Sequence, residues 1–324
     1  MTTPAVRDIR KNFPHAKISM LAKPWVAPIF ENSPYVDNIL SYDAGARHKG
    51  FLGKFRLAGD LKAYKFDAVI LLQNAFEAAF ITCLAGIPNR IGYSTDGRRA
   101  LLTHAAKLRP ETKKKHQTKY YQEILTAFGL KVFDTTLYLE PGQKNLHRAD
   151  KFLNQNSLSR DKRLLVGISP GAMYGPAKQW FPERFARLSD LIHDQYKADI
   201  LIFGGPGDKQ VGESISQIMR NKPINLAGKT DLGLAMALIK KCHLFITNDS
   251  GLMHVGAALD IPLIAIFGST NPETTGPAGS RSRVIRIPIK CSPCLKPECP
   301  YKHFKCMEQI NVKMVFDAVE EMWT

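Results

Sequence analysis

The sequence predicts an α/β protein made of two wound, parallel-sheet domains. Three observations carry this expectation. Strand-like runs alternate with helix-like ones along the whole chain. The apolar runs are short, such as AVILL at 68–72 and LIAIF at 263–267, and Gly- and Pro-rich loops follow several of the strands. With 324 residues and 44% hydrophobic content, the chain is long enough for two domains of ordinary size.

In the first half, strands are expected near 17–21, 38–41, 67–73 and 90–93, with helices near 4–12, 51–64, 75–84 and 117–128. In the second half, strands are expected near 164–168, 199–203, 225–227, 244–247 and 263–267, with helices between them. The opening is helical: Thr3 reads as an N-cap, Pro4 suits the first helical position, and Val6, Ile9 and Phe13 share one face. A wound α/β domain normally opens on a strand that is central in its sheet. Residues 139–163 are polar and charged without a strand-like run, which predicts a join near 157. The expected division is 1–157, 158–311, and a last helix over 312–324.

Forty-five Lys and Arg stand against 29 Asp and Glu, a net charge of +16. That favours anionic partners, whether phosphates, nucleic acid or a membrane face. The positive residues are spread along the chain without a nucleic-acid-binding motif, so no nucleic-acid partner is expected. No apolar stretch approaches the roughly 20 residues that span a bilayer, and MTTPAVRDIRKNFP lacks the apolar core of a signal peptide. A cytoplasmic protein, peripheral at most, is expected.

The stretch TNDSGLMHVGAALDIPLIAIF (247–267) reads as a strand end, a polar corner, a helix and a second strand. A helix N-terminus at the carboxyl end of a parallel strand suits phosphate, and Asp249, Ser250, Gly251 and His254 gather there. The plainer reading is an Asn/Asp cap with a core histidine. Two more loops favour the first reading. SPGAMYGPAKQW (169–180) carries Lys178, a cation able to neutralise a diphosphate, and FGGPGDK (203–209) carries Asp208, able to accept from a ribose. Three loops ending parallel strands converge on one edge, which predicts a nucleotide-diphosphate site in the second domain.

Together SPGAMYGPAKQW, TNDSGLMHVGAAL and IFGSTNPETTGP resemble the heptosyltransferases of glycosyltransferase family 9. TTPAVRDIRKNFPHAKI and LLQNAFEAAFITCLAGIPNRIGY resemble the same family, so the likeness covers nearly the whole chain. It implies a GT-B architecture: two Rossmann-like domains facing across a cleft, ADP-heptose on the second, the acceptor on the first, and the last helix returning to the first. It further implies Lys178, Ser250, Gly251 and His254 at the diphosphate, Asp249 near heptose and diphosphate, Asp208 near the ribose, and residues 232–237 beside the adenine. The reaction implied is an inverting transfer of heptose to a heptose of the lipopolysaccharide inner core. No Asp-x-Asp sequence occurs, so helix dipole, lysine and histidine are expected to stabilise the departing ADP without a catalytic metal or other cofactor.

In that family a strand and a Gly-Asp turn precede the Thr-Pro found here as Thr3-Pro4, and the aspartate of the turn is the expected general base. That base is accordingly expected upstream of Met1, with donor binding partly kept and transfer weak or absent in the 324-residue form. Asp8, inside the helix, is not promoted to the role. A transferase for another nucleotide sugar is the other reading, because Rossmann-like halves do not fix the donor.

On the acceptor side, residues 49–65 interleave Lys49, Lys54, Arg56, Lys62 and Lys65 with Phe51, Leu52, Phe55, Leu57 and Leu61. Such a segment suits an anionic membrane or a phosphorylated acceptor, or it is an amphipathic helix with a solvated basic face. Arg98 and Arg99 follow a strand where an acceptor phosphate can reach, and the resemblance adds Asn74. Lys113 to Lys115 read as a solvated run.

Cys83 and Cys242 lie in apolar contexts and read as core. Cys291, Cys294, Cys299 and Cys306 form C-x2-C-x4-C-x6-C with His303 inside it. Two readings stay open: a structural zinc site, with an iron–sulfur cluster as its variant, and free or transiently oxidised thiols.

Overall fold

The computed structural model describes residues 1–158 and 163–323. The chain divides into two compact units, Met1–Thr135 and Thr136–Thr324.

The first unit runs α1 (Thr3–Asn12), β1 (Ser19–Ala22), β2 (Asn38–Ser41), α2 (Gly50–Lys62), β3 (Ala68–Leu71), α3 (Phe76–Leu84), β4 (Asn89–Tyr93), β5 (His104–Ala106), α4 (Pro110–Lys114) and α5 (Gln117–Thr126). Its strands form two separate parallel ladders, β1-β2 and β3-β4-β5. The opening helix is there as expected. Its N-cap is Thr2 rather than Thr3, and no side chain bonds the cap. Pro4, Ala5, Val6, Arg7 and Asp8 are its buried residues, and α1 packs on α5. Three small apolar clusters hold the unit, built around Leu57, Leu61 and Ile81, around Leu71 and Ala79, and around Tyr93, Tyr120 and Ile124.

The second unit runs α6 (Gly142–Gln155), β6 (Leu165–Ser169), α7 (Pro182–Tyr196), β7 (Asp199–Ile202), α8 (Lys209–Ile218), β8 (Ile224–Asn225), α9 (Leu232–Lys241), β9 (Leu244–Asn248), α10 (Gly251–Ala258), β10 (Leu263–Phe267), α11 (Pro272–Thr275), β11 (Ser282–Arg286), α12 (Lys305–Glu308) and α13 (Val312–Trp323). All six strands are parallel, in the order β11-β10-β9-β6-β7-β8. This is the order of a dinucleotide-binding sheet, and its direction reverses between β6 and β9.

Strand periodicity explains the burial. Val166, Ile168, Ile200, Ile202, Leu244, Ile246, Ile264 and Ile266 point to one face, into a core with Phe185, Leu188 and Ile192 of α7, Ile215 of α8 and Val315 and Val319 of α13. On the other face Phe245 lies beside Gly167, where a Cβ would stand 2.6 Å from its ring. The β6-β9 ladder therefore needs the glycine. Both faces of the central strands are buried, as expected where helices cover a parallel sheet.

Three expectations are corrected. The two units divide at Thr135–Thr136 and not near 157, and α6 forms inside the polar join and packs on α9; residues 159–162 of that stretch lie outside the described residues. Second, α13 packs on α7, β10 and β11 of the second unit, since Val315, Ala318 and Val319 complete that core. Third, Cys83 is half-buried where Cys242 is buried. Two short strands, β5 and β11, escaped the sequence reading.

Candidate active site

The reversal between β6 and β9 leaves a crevice at their carboxyl ends, the usual ligand position in such sheets. After β6 the chain makes a Gly-Pro turn into a short 3-10 helix, Pro176–Lys178. After β9 it turns at Ser250 into α10. Lys178 Nζ and Asp249 Oδ2 lie 2.5 Å apart, with side chains 13% and 5% exposed. A nearly dry ion pair thus sits where the two loops meet. Thr270, after β10, donates from Oγ1 to the same Asp249 oxygen at 2.7 Å, and Lys178 lies 4.7 Å from the centre of the Tyr174 ring.

Asn248 locks the two loops together. Its Oδ1 accepts from Trp180 N at 3.1 Å and its Nδ2 donates to Pro170 O at 2.6 Å. Consequently neither Asn248 nor Asp249 caps α10. The N-cap is Ser250, which makes no side-chain cap bond; its Oγ instead pairs with Thr247 Oγ1 at 3.2 Å. The N-terminus of α10 is therefore left without a side-chain cap. At Gly251 a Cβ would meet no atom within 4 Å. The chain's own packing does not require that glycine, and the bare backbone is open to a ligand. His254 lies in the first turn of α10 and is half-buried.

Asp208 lies in a short turn after β7. Its Oδ2 accepts from Gly205 N at 2.8 Å, and a Cβ on Gly171 would stand 2.1 Å from its Oδ1. The carboxylate thus abuts the β6 loop. Residues 232–237 open α9, capped by Asp231, which accepts from Leu234 N at 2.8 Å.

The acceptor candidates belong to the first unit and differ in kind. Arg98 is fully buried; its Nε donates to Tyr93 O at 2.9 Å and its Nη1 to Gln73 O at 2.5 Å. Burial pulls its guanidinium below the ordinary arginine value. It is a brace for the β3 and β4 ends, not a hand held out to a ligand, which corrects the expectation. Arg99 is exposed. Asn74 donates from Nδ2 to Tyr120 Oη at 2.5 Å, while its Oδ1 is buried without a hydrogen-bond partner. Asp8 is wholly buried, accepts from Gln122 Nε2 at 2.6 Å and lies 3.5 Å from Arg7 Nε. It is structural.

Helix α2 sorts the basic segment by face. Gly53, Leu57, Ala58 and Leu61 point inward, whereas Phe51 and Leu52 are 70% and 69% exposed. Phe51, Phe55, Phe80 and Phe76 form a chain of ring contacts at 5.1, 6.2 and 6.1 Å. Lys54 is taken up by Glu77, Nζ to Oε1 at 2.6 Å.

The sequence-profile of glycosyltransferase family 9 (heptosyltransferase) matches residues 54–305. The chain belongs to glycosyltransferase family 9. Among its family 9 relatives, lipooligosaccharide heptosyltransferase 2 of Haemophilus influenzae is 33% identical over 87% of this chain and 83% of that one. Lipopolysaccharide heptosyltransferase 2 of Escherichia coli is 31% identical over 89% and 84%. The solved structure of E. coli heptosyltransferase II superposes with a TM-score of 0.82 at 27% identity, covering 99% of this chain and 93% of that one. A family 9 glycosyltransferase structure from Veillonella parvula gives 0.88 at 27% identity, covering 99% and 92%. The protein is thus a glycosyltransferase with the GT-B heptosyltransferase fold. The sequence reading missed Asn248, Tyr174 and Thr270 as site residues. Their signal was position alone: each follows or ends a strand of the crevice.

Proposed function

We propose that this family 9 enzyme transfers heptose from ADP-heptose to a heptose of the lipopolysaccharide inner core, by inverting displacement without a catalytic metal. The observation that carries the reading is the Lys178–Asp249 pair beside the uncapped N-terminus of α10. A diphosphate laid against α10 meets free N–H groups, the positive end of the helix dipole and the Lys178 ammonium. As the bond from the anomeric carbon to the phosphate oxygen breaks, ADP leaves with the electron pair. The acceptor oxygen bonds the opposite face of that carbon and gives its proton to a base. Lys178 and α10 stabilise charge growing on the ADP, a term realised most fully in the transition state. Asp249, held by Lys178 and Thr270, faces the sugar side of the diphosphate. Asp208 receives the ribose hydroxyls.

The likeness to the lipopolysaccharide heptosyltransferase 2 of E. coli and to the solved E. coli ADP-heptose lipopolysaccharide heptosyltransferase II supports the choice of heptose and lipopolysaccharide. The exposed phenylalanines of α2 and α3 favour work at the cytoplasmic membrane face, where such an acceptor is anchored. Among the described residues no helix is long and apolar enough to cross a membrane.

Calorimetric titration with ADP-heptose and with UDP-sugars tests the donor, and transfer to inner-core lipopolysaccharide carrying one heptose tests the acceptor. ADP-heptose is expected to bind and UDP-sugars not, and added Mg2+ is expected to leave turnover unchanged. Tight binding of a UDP-sugar with none of ADP-heptose overturns the reading.

A further inference from the structure

We propose that Cys291, Cys294, Cys299 and Cys306 bind a single structural zinc ion as thiolates, and that this centre holds the turn that carries Lys178. All four cysteines and His303 are among the residues lining one cavity of about 10 Å³, roughly the room one water-sized sphere needs. None of the cysteines is in a disulfide. Residues 287–304, between β11 and α12, contain neither helix nor strand. Such a long irregular stretch usually carries a function of its own.

The local backbone fits thiolate ligands. Lys302 N donates to Cys299 O at 3.0 Å, closing a turn just after that cysteine. Leu295, directly after Cys294, adopts φ of 54°, Lys302 57° and Phe304 45°. Left-handed backbone at three residues with side chains is held only where the surroundings over-determine it. Four thiolates around one divalent ion leave a charge near minus two. Lys290, Lys296, Lys302 and Lys305 surround the cysteines in sequence, against Glu298 alone.

Cys291 Sγ lies 4.0 Å from His303 Nε2, and Cys299 Sγ 4.0 Å from His303 Nδ1. Ligands on one tetrahedral zinc stand about 3.5–3.8 Å apart. Among the described residues no three such side chains already form an ion cage, so the thiolates must close around the ion as they bind it. His303 is the neighbour that turns aside, keeping its Nδ1 on Lys305 N at 3.0 Å.

The consequence reaches the crevice. Pro297 O accepts from Ala177 N at 3.0 Å, next to Lys178, and Leu295 O accepts from Tyr174 Oη at 2.8 Å. Leu295 N donates to Ser269 O at 2.8 Å, next to Thr270. The cysteine loop therefore props both turns that meet Asp249. This propping bears on donor binding only if the donor reading holds; the metal content does not depend on it.

The test is elemental analysis of the full chain purified without chelator. About one zinc per chain is expected, and none in the Cys291→Ser, Cys294→Ser double variant. Cobalt exchanged into the unaltered protein keeps the test valid if that variant fails to fold. Intense thiolate-to-cobalt charge transfer with the d–d bands of a tetrahedral site supports the proposal. Zinc at background level, iron in its place, or loss of free thiols to disulfides in the isolated protein overturns it.

Discussion

The two units use the same βα alphabet with different completeness. In the second, β6, β9 and β10 are buried at every residue, and six strands make one uninterrupted ladder. In the first, β1, β2 and β3 each have at most one buried residue, and the ladder is in two pieces. A continuous sheet covered on both faces concentrates hydrophobic stabilisation at its centre. A divided one spreads it over small clusters. The crevice with the ion pair lies on the continuous, fully buried sheet, as a site requiring fixed geometry should.

Equal truncations should separate the units most. Ile246→Ala, in β9, is expected to cost about 3–5 kcal/mol, and Ile70→Ala, in half-exposed β3, about 1–2 kcal/mol. Hydrogen exchange by mass spectrometry reads each unit by its own peptides; losses of equal size would erase the contrast. Next is Lys178→Met, expected to weaken ADP binding by about 10- to 100-fold, the worth of a charged hydrogen bond. Arg99→Ala, in the first unit, should leave ADP affinity unchanged. Because Lys178→Met also strands a buried carboxylate, Asp249→Asn combined with it restores stability without restoring affinity.

A smaller effect sharpens the role of the first unit's surface. Phe51→Ser with Phe55→Ser is expected to lower partitioning onto phosphatidylglycerol-rich vesicles by about tenfold in co-sedimentation. Unchanged partitioning would detach the membrane from this face. The least effect is acidic. Hydrogen bonds from Arg47 and then His48 hold the Asp60 carboxyl at about 2, against an ordinary 3.8. Its folded value is depressed, so its contribution is complete above about pH 4 and fades as pH falls toward 2. The stability difference between wild type and Asp60→Asn should therefore shrink from pH 5 to pH 3 in denaturant titrations.

What was legible in the sequence follows the same contrast. LFITN and LIAIF announce themselves because a strand buried on both faces reads as a continuous apolar run. SRVIR of β11 is too polar, and HAA of β5 too short, to stand out. The α6 stripe of Leu146, Ala149 and Leu153 was hidden among charged neighbours, though its spacing is helical. Lys178 and Asp249 were found because strand ends of one sheet must share an edge. Arg98 was misjudged because its burial, and the carbonyl oxygens of Tyr93 and Gln73 that accept from its Nε and Nη1, are contributed by the fold and invisible as letters.

The central ladder joins Val166 to Leu244, segments far apart in the chain. Strands of that separation pair late, since loop closure precedes any reward from contact. During synthesis β6 must wait, unpaired on this side, until β9 has left the ribosome. The crevice is thus among the last parts of the second unit to form, and a chain stalled before Asn248 presents an open apolar strand edge to the chaperones that meet it.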